Sequence, residues 1–341
     1  MVRLRRGARG AAALTLALFA SLWAPAFAAA EARVAFTITD PRITESSGLV
    51  RNVHHDGYWT VNDSGDGGVV YALDGKGKVT GSFRYAASPT DVEALARYGK
   101  RLYVADIGDN SKKRDFVTVY YFSDPPTDGS TVKFRSYDFA YPDGAHDAET
   151  LLVDAAGRLY IVTKDKKGAI YSAPGVPSRT ALNRLVKVGE APSYVTDGVF
   201  MGNNEQIALR TYVSVIMLDA ISYQTTGQSA APLQPQGETI ALSSEGKRLL
   251  LGSEGSPSTT YVVPVPTRDA KVPKAAATPP ADPSASPSPS QSASDGGDGN
   301  TDPDVDESSS AVSGQGTMLA LGLAAAVAVA AGVVVAVVRR P

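Results

Sequence analysis

Asp91-Val92-Glu93-Ala94-Leu95 sets an acidic residue ahead of a short apolar run, and the chain carries four more stretches of the same kind. They are Glu45-Ser46-Ser47-Gly48-Leu49, Asp147-Ala148-Glu149-Thr150-Leu151, Val195-Thr196-Asp197-Gly198-Val199 and Gly237-Glu238-Thr239-Ile240. From Glu45 through Glu93, Glu149 and Asp197 to Glu238 the spacings are 48, 56, 48 and 41 residues. A period of that length marks a repeat architecture, with one supersecondary unit per repeat.

Each unit continues alike. A second apolar run follows at Tyr58–Asn62, Leu102–Ala105, Leu159–Val162, Gln206–Leu209 and Leu249–Gly252, and a third at Val69–Leu73, Val117–Tyr121, Ala169–Tyr171, Val213–Met217 and Thr260–Val263. A looser fourth run appears in the first four units, at Lys78–Tyr85, Thr131–Tyr141, Leu182–Val188 and Ser222–Gln228. Gly, Asp and Asn punctuate the runs and no long stretch has helical period. Four antiparallel strands per repeat predict the blades of an all-β β-propeller spanning 33–268. The fifth unit lacks a fourth strand, and a spare strand, Arg33 to Thr39, precedes the first unit. Closing the ring with that N-terminal strand gives five blades, a sixth degenerate blade being the alternative. A domain of this length buries enough surface to be stable without disulfides, and the chain has no cysteine.

The first strand of a blade lines the central channel, so a common register brings Glu45, Glu93, Glu149, Asp197 and Glu238 together at one mouth. Like charges raise one another's pKa, so such a ring needs compensation. Two readings stay open: the acids hydrogen-bond neighbouring blades and brace the ring, or they hold a cation. Calcium suits the second, because it takes six to eight oxygen ligands. The ends of the second strands add Asp63 in blade one, Asp106 and Asp109 in blade two, Lys164 in blade three and Arg210 in blade four. Lys164 and Arg210 either neutralise the glutamates or receive an anionic group of a ligand. The stretch Asn62 to Gly67 lacks the aspartate and glutamate of an EF-hand loop. Gly75-Lys76-Gly77-Lys78 reads as a hairpin turn, and no Gly-x-Ser-x-Gly elbow occurs. His54 and His55 fall in an exposed turn; His146 reads as a loop residue within reach of the mouth.

The two ends give an address. Arg3, Arg5, Arg6 and Arg9, an apolar run from Ala11 to Trp23, and Ala26-Phe27-Ala28 predict a signal peptide over 1–28. Residues 269–316 are rich in Pro, Ser and Ala, then in Gly and acids, and predict a disordered linker. As a free coil it spans roughly 40 Å. Met318 to Val338 carries no charge, long enough to cross roughly 30 Å of hydrocarbon, which predicts a transmembrane helix over 317–338. Arg339 and Arg340 then put a short tail, 339–341, in the cytoplasm. The expected protein is single-pass, with its propeller outside the cell membrane. Net charge is −2, which gives no case for nucleic acid as a partner.

Glu45-Ser46-Ser47-Gly48-Leu49, Trp59-Thr60-Val61-Asn62-Asp63-Ser64-Gly65, Asp91-Val92-Glu93-Ala94-Leu95 and Tyr103-Val104-Ala105-Asp106-Ile107-Gly108-Asp109-Asn110 together resemble the exported bacterial propellers of the phytase-like or esterase-like group. The resemblance implies calcium held by channel carboxylates, with Glu45, Asp63, Glu93, Asp106, Asp109 and Glu149 as ligands and Lys164 and Arg210 as phosphate partners. Three functions are therefore expected in turn. The first is a surface-anchored module binding a small polar or phosphorylated ligand or a cell-wall component. The second is a calcium-dependent phosphoesterase or esterase. The third is a structural or protein-interaction propeller at the wall.

Overall fold

The computed structural model describes residues 32–267. The signal peptide, linker, transmembrane helix and tail expected from the sequence lie outside the described residues. Among the described residues there is no helix, and none is long and apolar enough to cross a membrane.

The strands form five antiparallel blades. Blade one contains Ser46–Asn52, Gly57–Asn62, Val69–Asp74 and Val79–Tyr85. Blade two contains Val92–Tyr98, Arg101–Asp106, Val117–Ser123 and Arg135–Ala140. Blade three contains Ala148–Val153, Leu159–Thr163, Gly168–Ser172 and Val186–Ala191. Blade four contains Val195–Phe200, Gln206–Thr211, Ser214–Asp219 and Thr225–Ala230. Blade five contains Gly237–Leu242, Arg248–Ser253 and Ser258–Pro264, and its outer strand is the N-terminal Arg33–Ile38. Arg33 pairs with Val262 and Ile38 with Ser258, so the strand ahead of the first unit closes the ring as expected. The five inner strands touch in cyclic order around the central axis.

Two runs that the sequence presents as single fourth strands are split. Asp128–Val132 first adds in parallel to the outer edge of blade one, and only then does the chain return as Arg135–Ala140. Likewise Asn183–Arg184 pairs in parallel with blade two before Val186–Ala191 joins blade three. Each excursion covers an otherwise unpaired strand edge. Apolar periodicity cannot reveal it, because Asp128–Val132 and Asn183–Arg184 carry almost no apolar residues.

The core lies between blades. Trp59, Phe83, Tyr85, Leu95, Val104 and Phe122 fill the junction of blades one and two, and comparable clusters fill the other four. A middle strand is therefore covered on both faces: all six residues of Gly57–Asn62 are buried. This explains why the second and third runs read as continuous apolar stretches. Close approach of inner strands sets the small residues. A Cβ at Gly48 would lie 2.7 Å from the Leu95 backbone nitrogen of blade two, so nothing larger than glycine fits there.

Candidate functional site

Every inner strand opens with a bulge against the end of the second strand. The register shifts fall between Ser46 and Gly48, Val92 and Ala94, Ala148 and Thr150, Val195 and Asp197, and Gly237 and Ile240. Bulges re-aim side chains, and the residues in these five places include Ser47, Glu93, Glu149, Thr196 and Glu238. Two residues earlier stand Glu45, Asp91, Asp147, Tyr194 and Gln236. The carbonyls of Glu45, Asp91, Asp147 and Gln236 accept the N–H of Asp63, Gly108, Lys164 and Glu254. These hydrogen bonds hold the second-strand ends over the same mouth. The acidic repeat is thus spread over two steps of the strand. Glu45 sits two residues before Ser47, the counterpart of Glu93, and Asp197 one residue after Thr196, the counterpart in blade four.

Asp63, Asp91 and Glu93 come together. Each offers a carboxylate oxygen, and these oxygens lie within 4.8 Å of one another. Glu93 is buried and the other two are half-buried. Burial, then the charge of Asp63 and Asp147, pushes Asp91 up to about 7. Burial, then Glu149 and Asp91, holds Glu93 well above the ordinary carboxyl range. Glu45 is raised by burial and by Asp63, and Ser64 donates to it at 3.0 Å. Glu254 is pushed up to about 9 by burial, then by Glu238, Asp63 and Glu45. These acids share one region, and each makes its neighbours harder to ionise.

In the neighbouring blade three, the Lys164 ammonium donates to Glu149 Oε1 and lies 5.3 Å from the Tyr212 ring centroid. Burial opposes its charge, but Glu149 and Glu238 outweigh burial and hold its pKa above the ordinary lysine value. Glu149 and Glu238 are 4% and 3% exposed. Glu149 Oε2 and Glu238 Oε1 have no hydrogen-bond partner among the described residues. A buried carboxylate oxygen without a donor is costly, so one lysine does not balance this group.

Other expected site residues hold the scaffold. Asp106 accepts the Thr90 and Asp91 N–H groups, both at 3.0 Å, and pairs with Arg114 at 2.7 Å. Asn62 does the same for Thr44 and Glu45 in blade one. Asp109 accepts the N–H groups of Lys113 and Arg114. Asp197 accepts Gly198 N–H at 2.7 Å and Ile240 N–H at 2.8 Å, tying blade four to blade five. Arg210 is wholly buried. Its guanidinium donates to the carbonyls of Thr239 and Gly252 and to Gln234 Oε1. Burial pulls it down to about 10, with Glu238 and Asp197 opposing. It braces blade five rather than facing solvent. His146 lies between Asp165 at 2.9 Å and Asp143 at 3.2 Å, with Tyr171 at 3.0 Å.

Asp91 and Glu254 belong to the acidic group although the repeat does not single them out. Their signals were present: Asp91 stands two residues before Glu93, and Glu254 follows the second strand of blade five as Asp63 follows that of blade one.

No protein-family model matches the chain, and no curated protein matches it. Among solved structures, Myxococcus xanthus glutaminyl cyclase is similar with a TM-score of 0.46 and 14% identity, covering 69% of this chain and 97% of that one. A gluconolactonase from Xanthomonas campestris gives a TM-score of 0.40 and 12% identity, covering 69% of this chain and 90% of that one. Neither likeness carries a function to this chain.

Proposed function

We propose that the protein is a cell-surface propeller that binds a divalent cation, calcium by its chemistry, on Asp63, Asp91 and Glu93, and presents it to a small polar ligand at the mouth. The observation that carries this reading is the convergence of three carboxylates whose oxygens lie within 4.8 Å of one another. An all-oxygen donor set suits a hard cation. Three carboxylates supply part of the six to eight oxygens calcium takes; carbonyls and water complete such shells. The local backbone fits the same role. A Cβ at Gly108 would lie 2.4 Å from Asp91 Oδ2 and 2.7 Å from Glu93 Oε1, so glycine leaves these carboxylates their positions. A cation would offset the mutual repulsion that raises Asp91 and Glu93, and its binding would release protons.

Calcium-dependent melting of the mature protein tests the reading. Saturating calcium raises the melting temperature by about 5–10 °C over chelated protein, the shift that roughly hundredfold excess over Kd gives a domain of this size. In Glu93→Gln the response is lost while the chelated form melts close to wild type, since the amide is near in size and shape to the protonated carboxyl that burial favours at Glu93 without metal. No calcium shift in wild type sinks the proposal, as does an unchanged shift in the variant.

The surface location rests on the signal peptide and the apolar segment near the C-terminus, both read from sequence. Ending the chain at residue 316 will release the domain into the medium. Retention in the membrane fraction would argue against a C-terminal anchor.

A further inference from the structure

We infer a second binding site that takes a small oxyanion, the phosphate or carboxylate group of a soluble ligand, in the cavity under the loop that follows the second strand of blade two. The cavity is about 250 Å³, and Lys112, Lys113, Arg114, Asp115 and Tyr141 line it. Three of these five side chains are cationic.

The loop is built to hold them. Asp109 accepts Lys113 N–H at 3.0 Å and Arg114 N–H at 2.8 Å through its carboxylate, and Lys112 N–H at 2.8 Å through its carbonyl. Its own N–H donates to Asp147 Oδ1 at 2.9 Å, which fastens the loop to blade three. Lys112 adopts φ 52°, a left-handed conformation uncommon for a residue with a side chain. Lys112 is tied to Asp165, and Arg114 to Asp106 and the Gly108 carbonyl. Lys113 is exposed and makes no ion pair among the described residues. Its charge is available to a ligand.

A second observation points the same way. Tyr141 is 8% exposed, and its hydroxyl has no hydrogen-bond partner among the described residues. Its ring is fixed against His146 and Tyr171, with centroids 5.0 and 4.9 Å away. Buried phenols normally find an acceptor. Burial raises its pKa above the ordinary tyrosine value, so it stays a donor. An oxyanion in the cavity would accept from Tyr141 and meet Lys113 and the outer edge of Arg114, a charge-assisted set. Arg114 reaches the Gly108 carbonyl, and Gly108 abuts the Asp91 and Glu93 carboxylates. The two sites thus lie on either side of one loop. The anion site stands on its own observations, whatever becomes of the cation reading.

Calorimetric titration of the detergent-solubilised mature protein, stripped of metal and at constant chloride, tests it with inorganic phosphate in one arm and malonate in the other. Saturable binding of either probe is expected; phosphate alone marks a phosphoryl ligand, and malonate alone a carboxylate. Lys113→Ala weakens binding about tenfold, the scale of one charge-assisted hydrogen bond. Tyr141→Phe weakens it severalfold without lowering the melting temperature, because the fold itself makes no use of that hydroxyl. Absence of saturable binding by both probes, or equal affinity in Lys113→Ala and wild type, overturns the inference.

Discussion

Arg210→Met will destabilise the domain by about 3–5 kcal/mol, the range for removing one partner of a buried charge network. In a domain of this size that lowers the melting temperature by roughly 10 °C or more. The loss has named parts. The Thr239 and Gly252 carbonyls and Gln234 Oε1 each lose a donor, and buried acceptors without donors are costly. Asp197 and Glu238, 2% and 3% exposed, lose the cation that opposes their shift. Gly237 packs closely on this guanidinium: a Cβ there would lie 2.3 Å from Arg210 Nη2. Arg210→Lys recovers only part of the stability, since an ammonium on one stem cannot reproduce the planar fork. Urea unfolding reads both. A loss below about 1 kcal/mol would mean that Arg210 is not the brace described.

The metal-free protein will be less stable at pH 8 than at pH 5, the reverse of the usual trend for a folded domain rich in paired carboxylates. The sign follows from the direction of the shifts. Asp91 is raised to about 7 and Glu254 to about 9, and Glu93 and Glu149 are held well above their ordinary values. An acid whose folded pKa is raised keeps its proton in the native state while the unfolded chain has lost it. Its stability contribution is complete below the unfolded value and declines as pH rises through the folded value. The decline therefore begins near pH 4–5 and continues through pH 7 and beyond, at about 1.4 kcal/mol per pH unit for each proton involved. Acid loss sets the other boundary. Asp143 and Asp165 are lowered, as hydrogen bonds from Tyr171, Lys112 and His146 outweigh burial, so their contribution disappears as pH falls below about 4. Calcium reverses the upper limb, because it binds the ionised form and gains affinity with pH. Melting curves from pH 4 to 9, with chelator and with calcium, check this. A chelated protein that gains stability steadily from pH 5 to 8 would contradict the account.

Much of the architecture is legible in the residues. The acidic repeat counts the blades, and the missing fourth strand of the last unit together with the spare Arg33–Ile38 gives the closure. The crossings at Asp128–Val132 and Asn183–Arg184 escape a reading by pattern, because which blade edge a strand joins is a tertiary choice. The site is legible at lower resolution. Aligning Glu45, Glu93, Glu149, Asp197 and Glu238 assumes one register, yet a bulge opens every inner strand and a shift of one residue changes what a side chain meets. Asp197 shows the consequence: it caps Gly198 and Ile240 N–H groups instead of facing the other acids. Lys164 does meet the glutamates, as its place at the end of a second strand suggests. The sequence leaves Arg210 either to neutralise the glutamates or to receive an anion, and nothing local reveals that blade five closes over it. Asp106 and Asp109 read as ligands for a similar reason. Asp106 instead accepts the N–H groups of Thr90 and Asp91 ahead of the inner strand of its blade, and Asp109 those of Lys113 and Arg114 in its own loop.

The claim that matters most is a cation on Asp63, Asp91 and Glu93, and the most direct measurement is a crystal structure grown in calcium with anomalous data. One strong peak is expected at about 2.3–2.6 Å from at least one oxygen of each of these three side chains, the distance range of calcium–oxygen bonds. Data without a peak there, with the three carboxyls instead hydrogen-bonded to one another through shared protons, would contradict it.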